Sequence, residues 1–120
     1  MKYLTTLVSA ATLALSTGIA MADTPVEVMT EFYKIADERP FDPAKFAPFF
    51  VDEFTDHDPQ PTGGMESGEH VAGFYAALAV GSTDSKHVID YILPVGDDKA
   101  LVRWQYVGTH DGNMLGFPAT

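Results

Sequence analysis

The chain has 120 residues, no cysteine, and 17 acidic against 7 basic side chains, for a formal net charge of −10. The missing cysteine excludes disulfides, thiol nucleophiles and thiolate metal sites. The acidic balance argues against nucleic acid, whose phosphates need clustered Lys and Arg, and against adhesion to anionic lipid.

Residues 1–22 read as a secretory signal peptide. Met1-Lys2 is a short basic start, Leu4 to Ala20 is apolar with small residues interspersed, and Ala20-Met21-Ala22 is the small-x-small site a signal peptidase prefers. Cleavage is expected after Ala22, with the periplasm or the exterior as destination. An uncleaved anchor is the alternative, which the shortness of the run disfavours. Removing residues 1–22 takes away Lys2 and no acid, so the balance moves from −10 to −11. The remainder, 23–120, is long enough for one domain.

Thr24-Pro25-Val26-Glu27 is a capping box with proline at the first helical position. Val28, Met29, Phe32, Ile35 and Ala36 then follow at the spacing of one helical face. Pro40 should end that helix through its effect on Arg39. Asp42-Pro43 opens a short second helix carrying Phe46, Phe49 and Phe50, which Pro48 limits to about two turns. Phe54 to Gly64 is irregular, with acids around His57. Ser67 starts a third helix with Val71, Phe74, Tyr75 and Leu78 on one side, and Gly81 closes it. His87 to Leu93 reads as a strand, and Gly96-Asp97-Asp98 turns the chain into a second strand over Lys99 to His110. Helices followed by an antiparallel hairpin define an α+β domain with helices packed on one face of a sheet. Two strands make a marginal sheet, and the apolar tail Met114 to Pro118 has little to pack against. The expectation is a chain cut short that folds poorly alone.

Strand alternation puts Val102, Trp104, Tyr106 and His110 on one face, with Leu101, Arg103, Gln105 and Val107 on the other. An imidazole ending an aromatic row could exchange a proton near neutral pH. A histidine that merely finishes a strand is the plainer reading. His57 between Asp56 and Asp58 is a second candidate, since a flanking carboxylate can fix its tautomer, against a solvated loop in which the acids cap turns. Trp104, Tyr106, Phe74 and Tyr75 line a cavity or fill the core, and the Tyr106 hydroxyl could polarise a carbonyl. Arg103 points to a surface or dimer contact, and His70 and His87 to exposed starts of a helix and a strand. Asp56, His57, Asp58, His110 and Asp111 could offer metal ligands, but no two histidines show the spacing of a preformed site, and no metal is expected. Serine nucleophiles, phosphate loops and dinucleotide fingerprints are absent.

Asp56-His57-Asp58-Pro59, Gly73-Phe74-Tyr75-Ala76-Ala77-Leu78, Val102-Arg103-Trp104 and Gly108-Thr109-His110-Asp111-Gly112 through Leu115-Gly116-Phe117-Pro118-Ala119-Thr120 resemble the SnoaL-like polyketide cyclases of the nuclear transport factor 2-like superfamily. The last is the most specific, since members carry a G-T-H-x-G…L-G-x-P-x-T-G run. The resemblance implies a cone-shaped half-barrel, a curved antiparallel sheet wrapping a deep apolar pocket closed by the N-terminal helices. It implies cofactor-independent deprotonation next to a carbonyl, as in cyclases and isomerases. It also implies two further strands after Pro-x-Thr, missing from this chain and bearing the usual acid/base carboxylate, and homodimers of the complete protein. Two functions follow as expectations. One is an exported acid/base enzyme acting on a small carbonyl-bearing or polycyclic molecule, with His110 and His57 catalytic and Trp104, Tyr106, Phe74, Tyr75 and Asp58 forming the substrate pocket. The other is a non-catalytic small-molecule binder of the same fold.

Overall fold

A computed structural model describes residues 23–57 and 67–120. The signal-peptide reading of 1–22, and Asp58 and Pro59 in the irregular loop, lie outside the described residues. Helix α1 spans Pro25–Ala36, α2 spans Pro43–Phe46 and continues as a 3₁₀ turn over Ala47–Phe49, and α3 spans Gly68–Gly81. Strands β1 (Lys86–Val95) and β2 (Lys99–Val107) pair antiparallel. The helices pack on one face of this hairpin, giving the expected α+β fold.

Local chemistry sets the helix boundaries. The Thr24 backbone N–H donates to Glu27 Oε2 at 2.8 Å, and the Glu27 N–H returns a bond to Thr24 Oγ1 at 3.3 Å. The pair satisfies donors that the first helical turn leaves orphaned. Asp42 and Ser67 cap α2 and α3 more simply, their side chains accepting from the Ala44 and His70 N–H groups. Helix α1 stops at Ala36 with Asp37 as its C-cap, three residues before the expected end at Arg39; the Arg39–Pro40 peptide is cis.

The core is an aromatic cluster. Phe46 is fully buried, with Phe32 at 4.8 Å and Tyr75 at 4.6 Å between ring centroids, and Ala36, Val71 and Ala72 complete the buried set. Tilted and edge-to-face rings at such spacings gain about 0.5–1.5 kcal/mol per pair beyond area burial.

Two features of the hairpin depart from simple alternation. The register shifts between Ile89, opposite Trp104, and Tyr91, opposite Arg103, leaving Asp90 as a bulged residue. The bulge lets Ile92 share a face with His87 and Ile89 although it is three residues beyond Ile89. In addition, β2 ends at Val107, so the alternating row does not run on to His110. The tail is largely exposed as expected, Phe117 at 70 %, but it is tied to α3 at two points. Met114 rests against Gly81 of α3, where a Cβ would collide with it, and the Gly112 N–H donates to the Gly81 carbonyl at 3.1 Å. Leu115 lies over the α3 groove beside Phe74 and Ala77. A glycine near the end of α3 is what permits that crossing.

Candidate functional site

Between the helices and the inner face of the hairpin lies a cavity of about 600 Å³. Strand β2 contributes Trp104 and Tyr106 to its wall, β1 His87, and α3 Phe74, Tyr75 and Leu78; Phe50, Phe54 and Asp56 close another side, and Met114 comes from the tail. Apolar walls with a few convergent polar groups are the usual composition of small-molecule cavities.

His87 is the principal correction to the sequence reading. It is buried at 9 % exposure, not exposed at the start of a strand. Its Nδ1 lies 2.7 Å from Asp37 Oδ1, and its backbone N–H donates to Asp37 Oδ2 at 2.8 Å. A carboxylate accepts only, so Nδ1 carries a proton, and in the neutral ring Nε2 is the acceptor. Trp104, Tyr106 and Tyr33 surround the imidazole with centroids at 4.8–4.9 Å, and Tyr75 stacks at 6.0 Å. Cross-strand register carried the signal. His87 pairs with Tyr106 and Ile89 with Trp104, so an inward β2 row turns His87 inward too. Asp37 had a fainter signal: an acid at a helix C-terminus opposes the helix dipole and is favoured there only for another reason.

The phenols divide by what their protons do. Ser85 Oγ donates to the Ser82 carbonyl at 2.8 Å and accepts from Arg39 Nη2 at 2.9 Å and from the Tyr106 hydroxyl at 2.7 Å. With the Ser85 proton already committed, the Tyr106 proton must point at Ser85, so this hydroxyl can accept from a ligand but does not polarise a carbonyl. Arg39 also donates to the Ala36 and Glu38 carbonyls, clamping the end of α1 onto the start of β1. Burial pushes the Tyr75 phenol far above the ordinary phenol value, with the nearby Tyr33, Tyr106, Asp37 and Asp56 adding to the effect. Burial raises Tyr33 too, against a hydrogen bond from Trp104 that lowers it. At neutral pH both phenols are protonated.

The other residues singled out by sequence fall as follows. Trp104, Tyr106, Phe74 and Tyr75 all reach the cavity wall. His57 is exposed and does not line it, whereas its neighbour Asp56 does. His110 is half-buried in the turn after β2, off the cavity wall, and its Nε2 is buried without a hydrogen-bond partner among the described residues. Arg103 pairs with the bulged Asp90 at 3.1 Å on the outer side of the hairpin. Among the described residues no three His, Asp or Glu side chains gather as a metal would require, and no helix is long and apolar enough to cross a membrane.

Helices closing an aromatic-walled hollow over one face of an antiparallel sheet make an α+β fold consistent with the nuclear transport factor 2-like kind. The chain belongs to the SnoaL-like polyketide cyclase family, whose model matches residues 26–120. A solved structure of a protein assigned as a SnoaL-like polyketide cyclase, from Jannaschia sp. CCS1, superposes with a TM-score of 0.59 at 20 % identity. The match covers 79 % of this chain and 65 % of that one, so the chain spans about two thirds of its neighbour's length. No protein of curated function matches.

Proposed function

We propose that the protein is an exported, cofactor-independent proton-transfer protein of cyclase or isomerase type. It takes a small aromatic or polycyclic carbonyl compound into the 600 Å³ cavity. The His87–Asp37 pair carries this reading. Asp37 holds the imidazole in one tautomer and one orientation, with the Nε2 lone pair as base for a proton on carbon next to the carbonyl. Tyr75, whose proton burial retains, donates to the carbonyl oxygen as negative charge develops there. Trp104, Phe74 and the surrounding rings hold a flat ligand and exclude water. The export assignment rests on residues 1–22 and is tested by the N-terminus of the protein recovered from the periplasm, expected at Asp23.

The chemistry can be tested without the natural substrate. 2-Tetralone, an aromatic ketone with exchangeable α-hydrogens, is incubated with the protein in D₂O, and deuterium uptake is followed by NMR. Trp104, the chain's one tryptophan, reports occupancy of the cavity through quenching of its fluorescence. Acceleration by wild type should fall about 100-fold in His87→Gln, the scale of a lost general base, while quenching persists. Quenching without any acceleration by wild type leaves a binding protein; equal acceleration by wild type and His87→Gln removes His87 from the chemistry.

A further inference from the structure

A second cavity of about 320 Å³ lies behind the first, and His87 belongs to the walls of both. The rest of its wall includes Thr30, Tyr33, Lys34 and Asp37 from α1 and its cap, with Ile89 and Ile92 from β1. Asp37 faces this second cavity and not the first. The two partners differ in wetting: the His87 side chain is 3 % exposed and the Asp37 side chain 20 %. The ring is therefore a sealed partition, and its carboxylate partner is the end that meets water. We infer that the second cavity is a solvent port through which His87 exchanges its Nδ1 proton with bulk water while the first cavity is occupied by ligand.

The inference rests on the reading of His87 as the proton acceptor. A base enclosed by its ligand must return each proton to that ligand unless it has another outlet. Here a proton gained at Nε2 makes the imidazolium. Asp37 Oδ1, which already accepts the Nδ1 hydrogen bond, takes that proton and passes it to a water at its exposed edge, which leaves as hydronium, and the ring is neutral again with its proton on Nε2. The carboxylate steadies the positive ring before the transfer and is ionised again once the water has taken the proton. Reversal of the same steps reloads Nδ1. A water occupies about 30 Å³ in the liquid, so the port has room for several, and Thr30, Tyr33 and Asp37 offer polar partners. The other ionisable groups around the ring are Tyr75 from α3, Tyr106 from β2, Asp56 on the wall of the first cavity, and Lys34 on that of the second. Lys34 is paired with Glu31 at 2.9 Å. The bulge at Asp90 has a purpose in this arrangement, because it brings Ile92 to the port beside Ile89.

The test needs no ligand, so it stands apart from the 2-tetralone experiment. Protein labelled with ¹⁵N-histidine is examined by NMR, with the His87 resonances assigned by their loss in His87→Gln, and exchange of the Nδ1 proton with water is measured. Ile92→Trp fills the second cavity and should slow exchange by about tenfold or more, as lost solvent access slows exchange elsewhere. Leu78→Trp fills the first cavity and should leave the rate unchanged. Thr30→Phe, at an exposed helix position on the same port, decides the matter if Ile92→Trp does not fold. Exchange that slows in Leu78→Trp and is indifferent to the port variants, or that responds equally to all three, overturns the inference.

Discussion

A histidine and an aspartate fifty residues apart in sequence meet because one ends a helix and the other begins a strand. Around them, single side chains are assigned by hydrogen-bond arithmetic as much as by proximity. Ser85 has one proton and two acceptor sites, all used, and that alone decides which way the Tyr106 hydroxyl points. The buried phenols give a pH prediction. Tyr33 and Tyr75 are raised above the ordinary value of 10 by burial, so the unfolded chain ionises first as pH rises. The stability they contribute is complete below pH 10 and is lost as pH climbs through the raised values. In an ultraviolet titration the Tyr33 and Tyr75 phenolate signals should appear only together with alkaline unfolding. Tyr75→Phe should remove one of the late phenolates. Phenolate formation by Tyr33 and Tyr75 ahead of unfolding would contradict the burial argument.

Between elements, the loop after α3 and the segment after β2 are joined by two reciprocal clasps. Asp84 accepts from the Thr109 N–H at 2.7 Å and from its hydroxyl at 2.8 Å, and Asp111 accepts from the Thr83 hydroxyl and from its N–H at 3.0 Å. These bonds hold both carboxyls below the ordinary value of 3.8. A depressed value means the contribution is present above 3.8 and is lost as pH falls through the folded-state values. The Tm difference between wild type and Asp84→Ala/Asp111→Ala should therefore be widest near neutrality and close in acid. Gly81→Ala sets two effects against each other. Alanine favours a helix by about 1 kcal/mol over glycine, but its Cβ meets Met114, and overpacking costs about 1–3 kcal/mol. The expected net is a loss, read as a lower urea midpoint. This scale also shows how legible the sequence was. Caps at Thr24, Asp42 and Ser67 and the turn at Gly96 are local chemistry, and the helices and hairpin follow from them. His87 was misread because its burial depends on its partner strand, and Asp37 drew no reading because its role depends on a residue fifty positions away. The alternation that placed His110 beside Trp104 and Tyr106 failed because β2 ends at Val107, which no period-two pattern marks. The bulge at Asp90 was invisible for the same reason.

Over the whole molecule, stability has a narrow base. There are no disulfides, and the charge of −10 repels itself. The outer face of the hairpin leaves apolar side chains such as Leu93, Val95 and Leu101 about half exposed, so they add little burial. The aromatic cluster about Phe46 must then supply much of the favourable term, and it does so directly beneath the cavity, since Phe32, Phe50 and Tyr75 belong to both. Truncating a fully buried phenylalanine costs about 3–5 kcal/mol. A typical domain has only about 5–15 kcal/mol in total. Phe46→Ala should accordingly leave a large unfolded fraction in dilute buffer at 25 °C. Two readings of urea unfolding check this: far-ultraviolet circular dichroism for the helices and Trp104 fluorescence for the cavity. In wild type the two curves should coincide, because one cluster supports both, and in Phe46→Ala both should move to lower urea together. Raising salt should shift both back upward by screening the acidic excess. A Trp104 transition that precedes the helical one in wild type would mean the cavity wall is a separate, weaker unit, held by the hairpin and not by the core.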